Sequence, residues 1–150
     1  QARACAIAAE LGVEVLAFSA KDFSSKQEYE SLIVEKLNAL GVELICLAGY
    51  MKIVGDTLLD GFAGKIINIH PSLLPAFKGA KAIEQALEYG VKVFGVTIHY
   101  VDNTLDGGVI IAQRAIEYSG NDINELVSLI HAIEHPLYIE TIEKLLKKEN

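Results

Sequence analysis

The chain has 150 residues, 51% of them hydrophobic and 22% charged, which is typical of one soluble globular domain with a sizeable core. The formal net charge of -7 argues against a nucleic-acid-binding protein, because no basic stripe is available to neutralise phosphates. No apolar run approaches the roughly 18 residues of a membrane-spanning helix, so no membrane partner is expected. Cys5 and Cys46 lack the spacing of metal ligands and indicate reduced thiols of a cytoplasmic protein.

The first part of the chain alternates predicted helices and strands. Gly12 and Gly41 are helix stop signals, and "SKQE" (25–28) is a capping box that predicts a helix start. "ELICLAG" (43–49) is a nearly continuous apolar run, which is typical of a strand covered on both faces. In chain order, the predicted elements are a helix to Leu11, a strand at 13–18, a helix at 25–40, a strand at 43–49 and a short helix near 56–61.

The rest of the chain continues this alternation. "KIINIH" (65–70) predicts a strand, and "DNTLDGG" (102–108) predicts a turn-rich connection between two later strands. Asn121 or Asp122 is predicted to cap the last helix, and Pro136 is predicted to kink or interrupt it. The further predicted elements are a helix at 80–90 and strands at 93–101 and 109–118.

This alternation predicts an α/β fold with a mainly parallel open sheet and helices on both faces. In such sheets, ligands bind outside the carboxyl ends of the strands. "INIH" (67–70) and "AGYM" (48–51) lie at such ends, and "TLDGG" (104–108) follows another strand. No linker, repeat or low-complexity segment is present, so residues 1–150 are predicted to form a single domain.

Asn68 and His70 are the first candidates for catalysis. Side chains alternate along a strand, so these two share one face. An amide donor beside an imidazole suits a developing oxyanion, because the amide donates a hydrogen bond and the imidazolium donates or transfers a proton. The structural alternative is a turn-forming Asn and a His bonded to a backbone carbonyl, and spacing alone does not separate the two interpretations.

Asp106, in "LDGG", is the next candidate. Asp-Gly is a common turn signal, so this residue needs a partner to have a function. A carboxylate beside an imidazole favours the protonated ring and holds its orientation. His99 lies two residues from Thr97 and could face the same cleft, although a structural role in its strand is favoured.

"HAIEH" (131–135) has the H-x-x-E-H pattern of a family of zinc peptidases, with two histidines one helical turn apart. Pro136 follows at once and disturbs the helix, and a third ligand is missing. A metal site is therefore not expected.

Four segments together resemble the phosphoribosylglycinamide formyltransferases: "AGYMKIV", "INIHPSLLPAFKGAKAI", "GVTIHYVDNTLDGGVIIAQ" and "IEHPLYIETI". The resemblance implies a Rossmann-like formyltransferase fold. It also implies transfer of the formyl group of 10-formyltetrahydrofolate to the glycine amine of glycinamide ribonucleotide, N1-(5-phospho-D-ribosyl)glycinamide, in de novo purine biosynthesis without a metal. The implied catalytic residues are Asn68 and protonated His70, which stabilise the oxyanion, and Asp106, which supports His70 and a proton-shuttling water.

Binding residues are implied by the same resemblance. Lys26 falls where the family usually has Arg in the folate site, and Asn68 also belongs to that site. Glu134 matches a contact to glycinamide ribonucleotide. The other implied folate contacts are Met51, Lys52, Ile53 and Val54, which line the pocket through backbone groups, and the loop residues Asp102, Asn103, Thr104 and Leu105.

The family's first strand and glycine-rich phosphate loop have no counterpart here, so an N-terminal segment is expected to precede residue 1. Formyltetrahydrofolate deformylase is an alternative, since it uses the same trio and "PAFKGAK" (75–81) resembles its loop. Methionyl-tRNA formyltransferase is a less favoured alternative, because it would need a basic extension to bind tRNA and this chain is acidic. A truncated folate-binding remnant without activity also stays open, as does a homodimer.

Overall fold

The computed structural model describes residues 3–50 and 52–148. Every predicted element occurs there except the strand at 13–18, and the ends differ by a few residues. None of the helices in this part of the chain combines the length and apolar character needed to cross a membrane. The elements are α1 (Arg3–Glu10), a 3₁₀ turn (Ala20–Asp22), α2 (Lys26–Ala39), β1 (Ile45–Leu47), α3 (Asp56–Gly61), β2 (Ile66–His70), α4 (Ala82–Tyr89), β3 (Val93–Tyr100), β4 (Ile110–Glu117) and α5 (Ile123–Lys148).

The prediction of a strand at 13–18 is wrong. This segment lies outside any helix or strand, and its apolar side chains Val13, Leu16 and Phe18 are 57%, 38% and 36% exposed. A strand depends on hydrogen bonds to a neighbour and on a buried face. In the described residues no strand pairs with this segment, so its apolar composition alone does not make it a strand.

Within residues 3–50 and 52–148, four strands form one sheet in the order β1-β2-β3-β4. The predicted α/β class is confirmed, but the sheet of the described residues is mixed rather than mainly parallel. β1 and β2 run parallel, whereas β2 with β3 and β3 with β4 run antiparallel. The connection 101–109 explains the last pair, because it is too short for the crossover that parallel neighbours need.

Helices cover both faces of the sheet, as predicted. The consecutive β2 residues Ile66 and Ile67 belong to two different apolar clusters, which places one cluster on each face. The cluster of Ile66 includes side chains of α2 and α3, and that of Ile67 includes side chains of α4 and α5. Asn68 and His70 follow Ile66 at period two, so they lie on the α2–α3 face.

Local signals in the sequence account for the two longest helices. Ser25 caps α2 by accepting from the backbone N–H of Glu28, and Asp122 accepts from Asn124 N and Glu125 N at the start of α5. Pro136 lies within α5, which continues to Lys148, so the proline does not interrupt the helix, and the alternative of a kink stays a prediction. The missing proline N–H removes one helix bond, and packing of α5 on β3 and β4 keeps the helix intact.

Candidate active site

Asn68 and His70 are brought together with a third polar residue, His99. The antiparallel register of β2 and β3 sets Asn68 opposite His99, and the amide Nδ2 of Asn68 lies 3.4 Å from Nε2 of His99. His70 is 6% exposed and His99 is 3% exposed. The three side chains form a polar row, and Thr97, the β3 partner of His70, continues it on the same face.

Asp106 completes this row from the loop after β3. Its Oδ2 lies 3.5 Å from Nδ1 of His70 and its Oδ1 lies 3.8 Å from Nε2 of His99. The backbone N–H of Gly79 donates to Oδ2 at 2.8 Å. Asp106 has a positive φ of 47°, a conformation that Asp tolerates better than most residues, and its side chain is only 12% exposed. The loop therefore carries a largely buried carboxylate to the two imidazoles.

Asp106 reaches His70 in a different way from the one predicted. The prediction assumed that the strands before His70 and before Asp106 are parallel, so that their carboxyl ends meet at one edge of the sheet. β3 is antiparallel to β2, so its carboxyl end points away from that of β2. His70 pairs with Thr97, three residues before β3 ends at Tyr100. The loop after β3 therefore folds back over the face of the sheet to reach His70.

Both ring nitrogens of His70 face an acceptor. Nε2–H donates to the backbone carbonyl of Phe77 at 2.9 Å, while Nδ1 faces Asp106. A protonated ring thus has an acceptor on each side. His99 is fixed differently: its Nδ1–H donates to Tyr100 O at 2.9 Å, so that Nε2 can accept from the amide of Asn68.

The loop 71–79, which carries the acceptor for His70, is held by a buried hydroxyl. Thr97 Oγ1 donates to Ser72 O at 2.7 Å and accepts from Leu74 N at 3.0 Å. The amide of Gln113 donates both to Thr97 Oγ1 and to Leu74 O, at 2.9 and 3.0 Å. Because side chains of β3 and β4 form hydrogen bonds with these backbone groups of the loop, the loop is fixed on the sheet before any ligand binds.

Together, these groups suit acyl-group chemistry. Asn68 offers an amide donor, His70 an imidazole, and Asp106 a carboxylate that compensates an imidazolium. The structure thus places Asp106 3.5 Å from His70, and His99 links Asn68 to the same carboxylate. His99 belongs to the same cluster although its sequence context favoured a structural role, and only the β2–β3 register shows its position.

The described residues that were predicted to bind folate divide into two groups. Lys26, Lys52 and Ile53 line a cavity of about 550 Å³, together with the rings of Phe23, Tyr29 and Tyr50. Val54 is 6% exposed and packs in the α2–α3 cluster, so only its backbone is available to a ligand. Met51 lies outside the described residues.

The loop residues predicted to bind folate are exposed. Asp102 Oδ1 accepts from the backbone N–H and the hydroxyl of Thr104, and these bonds hold the pKa of the Asp102 carboxyl below its ordinary value. Asn103 is exposed, and Leu105 is 61% exposed. A large apolar side chain presented to solvent beside a fixed turn is a surface that a ligand could cover.

Glu134, the predicted contact to glycinamide ribonucleotide, is a half-buried carboxylate on α5. It lies 3.7 Å from Nε2 of His131. Burial raises the pKa of Glu134, and the histidines His131, His135 and His70 each oppose that rise. His70 of the polar row is thus among the groups that act on the Glu134 carboxyl.

The pKa of Glu134 makes the stability of the fold pH-dependent. The folded protein holds this proton more tightly than the unfolded chain, whose pKa is near the ordinary 4.5. Well below pH 4.5, Glu134 is protonated in both the folded and the unfolded state, and its ionisation does not affect stability. As the pH rises through the raised pKa, the folded state loses stability relative to the unfolded state. Glu134→Gln is therefore expected to raise the free energy of unfolding near neutral pH and to change it little in acid, as measured by urea denaturation.

Glu143→Gln provides the matched control, since Glu143 is exposed on the same helix. Its effect should not grow with pH in this way. A Glu134→Gln protein that is less stable than the wild type at neutral pH would contradict the expectation.

His131 and His135 lie next to each other on α5. Their rings stack with centroids 6.2 Å apart and planes 10° apart. Across residues 3–50 and 52–148, no group of three or more His, Cys, Asp or Glu side chains is arranged to hold a metal ion.

Comparison with known proteins identifies the family. The family described as formyl transferase matches residues 2–142. Phosphoribosylglycinamide formyltransferase of Bacillus subtilis is 48% identical over 151 aligned residues, which cover 100% of this chain and 77% of that protein. The trifunctional purine biosynthetic protein adenosine-3 of Drosophila melanogaster is 40% identical over 129 residues, covering 85% of this chain but 10% of that protein.

Solved structures give the same result. Phosphoribosylglycinamide formyltransferase from Streptococcus pneumoniae superposes with a TM-score of 0.93 at 45% identity, covering 97% of this chain and 81% of that one. Glycinamide ribonucleotide transformylase 1 from Geobacillus kaustophilus also has a TM-score of 0.93, at 46% identity, covering 97% and 78%. With its Rossmann-like fold and a sequence match over most of its length, the chain belongs to the formyl transferase family.

Proposed function

We propose that this chain transfers the formyl group of 10-formyltetrahydrofolate to the glycine amine of glycinamide ribonucleotide, a step of purine biosynthesis. We assign Asn68, His70 and Asp106 as its catalytic residues. The observation that carries the proposal is the convergence of these side chains on one sheet face, in a chain 48% identical to a phosphoribosylglycinamide formyltransferase. Sequence identity supports the reaction, and the cluster supplies groups that the reaction needs.

The reaction begins when the uncharged amine of the acceptor attacks the formyl carbon, which places negative charge on the formyl oxygen. The Nδ2–H of Asn68 and an N–H of protonated His70 would donate to this oxygen. The amine nitrogen then loses a proton and N10 of the folate gains one as the C–N bond breaks. His70, directly or through a water beside Asp106, is the group placed to move that proton.

His70 suits this role because its Nδ1 is not committed. The 3.5 Å separation from Asp106 is longer than the about 2.7–2.9 Å of a formed charge-assisted bond. Asp106 can therefore stabilise an imidazolium while the Nδ1–H remains available to donate to a substrate oxygen or water. Phe77 O holds the other side of the ring and fixes its plane.

We assign the folate site to the cavity near Lys26 and to the exposed loop. The apolar rings of the cavity suit an aromatic ligand, and its lysines suit the carboxylates of a folate. Glu134 is assigned to the acceptor, supported by its electrostatic interaction with His70. The full set of proposed folate contacts is Lys26, Met51, Lys52, Ile53, Val54, Asn68, Asp102, Asn103, Thr104 and Leu105.

The reaction is tested by incubating the protein with 10-formyltetrahydrofolate, with and without glycinamide ribonucleotide, and measuring tetrahydrofolate, formate and formylated acceptor. We expect tetrahydrofolate to form only with the acceptor, in equal amount to formylated product. Formate release without acceptor would instead indicate a deformylase. Folate binding with neither product would indicate a binding protein and would contradict the proposal.

Three further assignments accompany this function. We propose that residues 1–150 form one formyltransferase domain, which the family match over 2–142 supports. We also propose a cytoplasmic location, because the folate and nucleotide substrates are those of central metabolism and both cysteines are free thiols. A homodimer is the proposed assembly, which sedimentation would test.

A further inference from the structure

Glu30 is a buried carboxylate that the proposed reaction does not use. It lies on α2 and is 1% exposed. Its Oε1 accepts from Gly55 N at 2.7 Å and its Oε2 faces Leu58 N at 3.4 Å. Gly55 is the N-terminal cap of α3 and supplies no side-chain cap of its own. Glu30 therefore satisfies, from a different helix, backbone donors that the start of α3 would otherwise leave unpaired.

Lys26, one turn earlier on the same face of α2, holds the residues just before α3. Its ammonium donates to Ile53 O at 2.6 Å and lies 3.8 Å from Oε1 of Glu30. Two side chains of one helix thus bind the segment from Ile53 to Leu58 at three backbone positions. We call this arrangement the α2 clamp. The pairing with Lys26 and the backbone donors compensates the burial of the Glu30 carboxylate.

The fit of the clamp depends on Gly55. A Cβ at this position would lie 2.5 and 2.9 Å from the two carboxylate oxygens of Glu30. A side chain at position 55 would therefore require the Glu30 carboxylate to move away from the backbone N–H groups that it binds. The glycine and the glutamate are therefore complementary, which indicates a specific contact rather than incidental burial.

The clamp forms part of the wall of the cavity of about 550 Å³. Glu30, Lys26 and Ile53 all line it, together with Lys52 and the ring of Tyr29. The backbone of 52–54 is the same segment assigned to the folate. The clamp sets the position of that backbone relative to the ring of Tyr29 on α2.

We propose that Glu30 is a positioning residue for the formyl donor: through Gly55 and Leu58 it holds the 53–58 segment where the folate-binding backbone must lie. This inference rests on the proposed function. It gives Lys26 a second role beside its proposed folate contact, since its ammonium donates to Ile53 O and lies 3.8 Å from Glu30. Glu30 touches no reacting atom, so its effect should appear in donor binding rather than in turnover.

Glu30→Gln is the sharpest variant because it preserves volume. The amide oxygen of the glutamine can still accept from Gly55 N. Its NH₂ group then faces either Leu58 N–H or the Lys26 ammonium, which are both donors, so no hydrogen bond forms there. We expect KM for 10-formyltetrahydrofolate to rise about 10- to 100-fold, the range of one charge-assisted hydrogen bond. The kcat and KM for glycinamide ribonucleotide should stay within about threefold. Amide hydrogen exchange at Gly55 and Leu58 should become faster.

Glu35→Gln is the control, since Glu35 is exposed on the same helix and lies outside the cavity lining. It should leave all of these quantities unchanged. Lys26→Met is the second variant; it should raise the donor KM by less than Glu30→Gln does, and the two effects should not add, because both variants release the same segment.

The outcomes separate the clamp from the proposed function. Faster exchange at Gly55 with an unchanged donor KM would overturn the positioning role and leave the function intact. A lower kcat in Glu30→Gln, with similar increases in the KM for both substrates, would show a purely structural role and would overturn the proposal. If Glu30→Gln does not fold, an unchanged donor KM in Lys26→Met would overturn it as well. If the wild type transfers no formyl group, the function fails, and calorimetry with tetrahydrofolate still decides whether Glu30→Gln weakens folate binding.

Discussion

Replacing His70 by Ala is expected to lower kcat for formyl transfer by about 100- to 10,000-fold, the contribution typical of a positioned acid–base group. His70 is the imidazole of the cluster whose Nδ1 faces a carboxylate without a formed bond. His99 is not placed to substitute for it, because its Nδ1–H is bound to the carbonyl of Tyr100 and its Nε2 faces Asn68. Single-turnover kinetics would measure the loss, with folate binding followed separately.

His70→Gln distinguishes lost chemistry from lost packing. The glutamine amide can still donate toward Phe77 O, the present partner of His70, but it carries no transferable proton at neutral pH. Both variants should therefore be equally slow while folding and binding the folate normally. An Ala variant that keeps more than about a tenth of wild-type kcat, or a Gln variant that recovers it, would remove His70 from proton transfer.

Local signals predicted the elements well because capping and termination act over a few residues. Ser25 begins α2 at the predicted position, and Gly41 follows its end with a positive φ of 68°. The segment 13–18 shows the limit of such signals, since an apolar pattern cannot reveal whether a partner strand is present. Strand direction is also a long-range property, so the antiparallel β2–β3 pair was not visible in the alternation of strands and helices.

The candidate site was predictable to different degrees for different residues. Asn68 and His70 follow from the period of a single strand, whereas Asp106 required the resemblance because its loop folds back over the sheet. His99 joins them through a cross-strand register that the sequence does not show. Glu30 gave no signal, because a glutamate within "KQEYESL" looks like a surface residue, and only the tertiary contact with α3 buries it.

Replacing Asp106 by Asn is expected to lower kcat by about 10- to 100-fold, the range of one charge-assisted interaction. The amide keeps the size of the side chain and can still accept from Gly79 N, and Asn tolerates the positive φ of 47° as well as Asp does. The variant therefore keeps the loop in place and removes the charge that compensates a protonated His70. Neither histidine of the cluster gains a substitute anion.

Asp102→Asn tests whether the effect depends on that charge or on the shape of the loop. Asp102 lies in the same loop but is exposed, and its carboxylate bonds to Thr104 rather than to a histidine. We expect Asp102→Asn to raise KM for the folate with kcat largely retained, and Asp106→Asn to lower kcat with KM within about threefold. Because the two variants make the same chemical change in one loop, identical kinetic effects would show that Asp106 acts only by shaping that loop. A raised folate KM in Asp102→Asn together with a lowered kcat in Asp106→Asn would instead locate the catalytic charge at Asp106, whose carboxylate lies near both imidazoles.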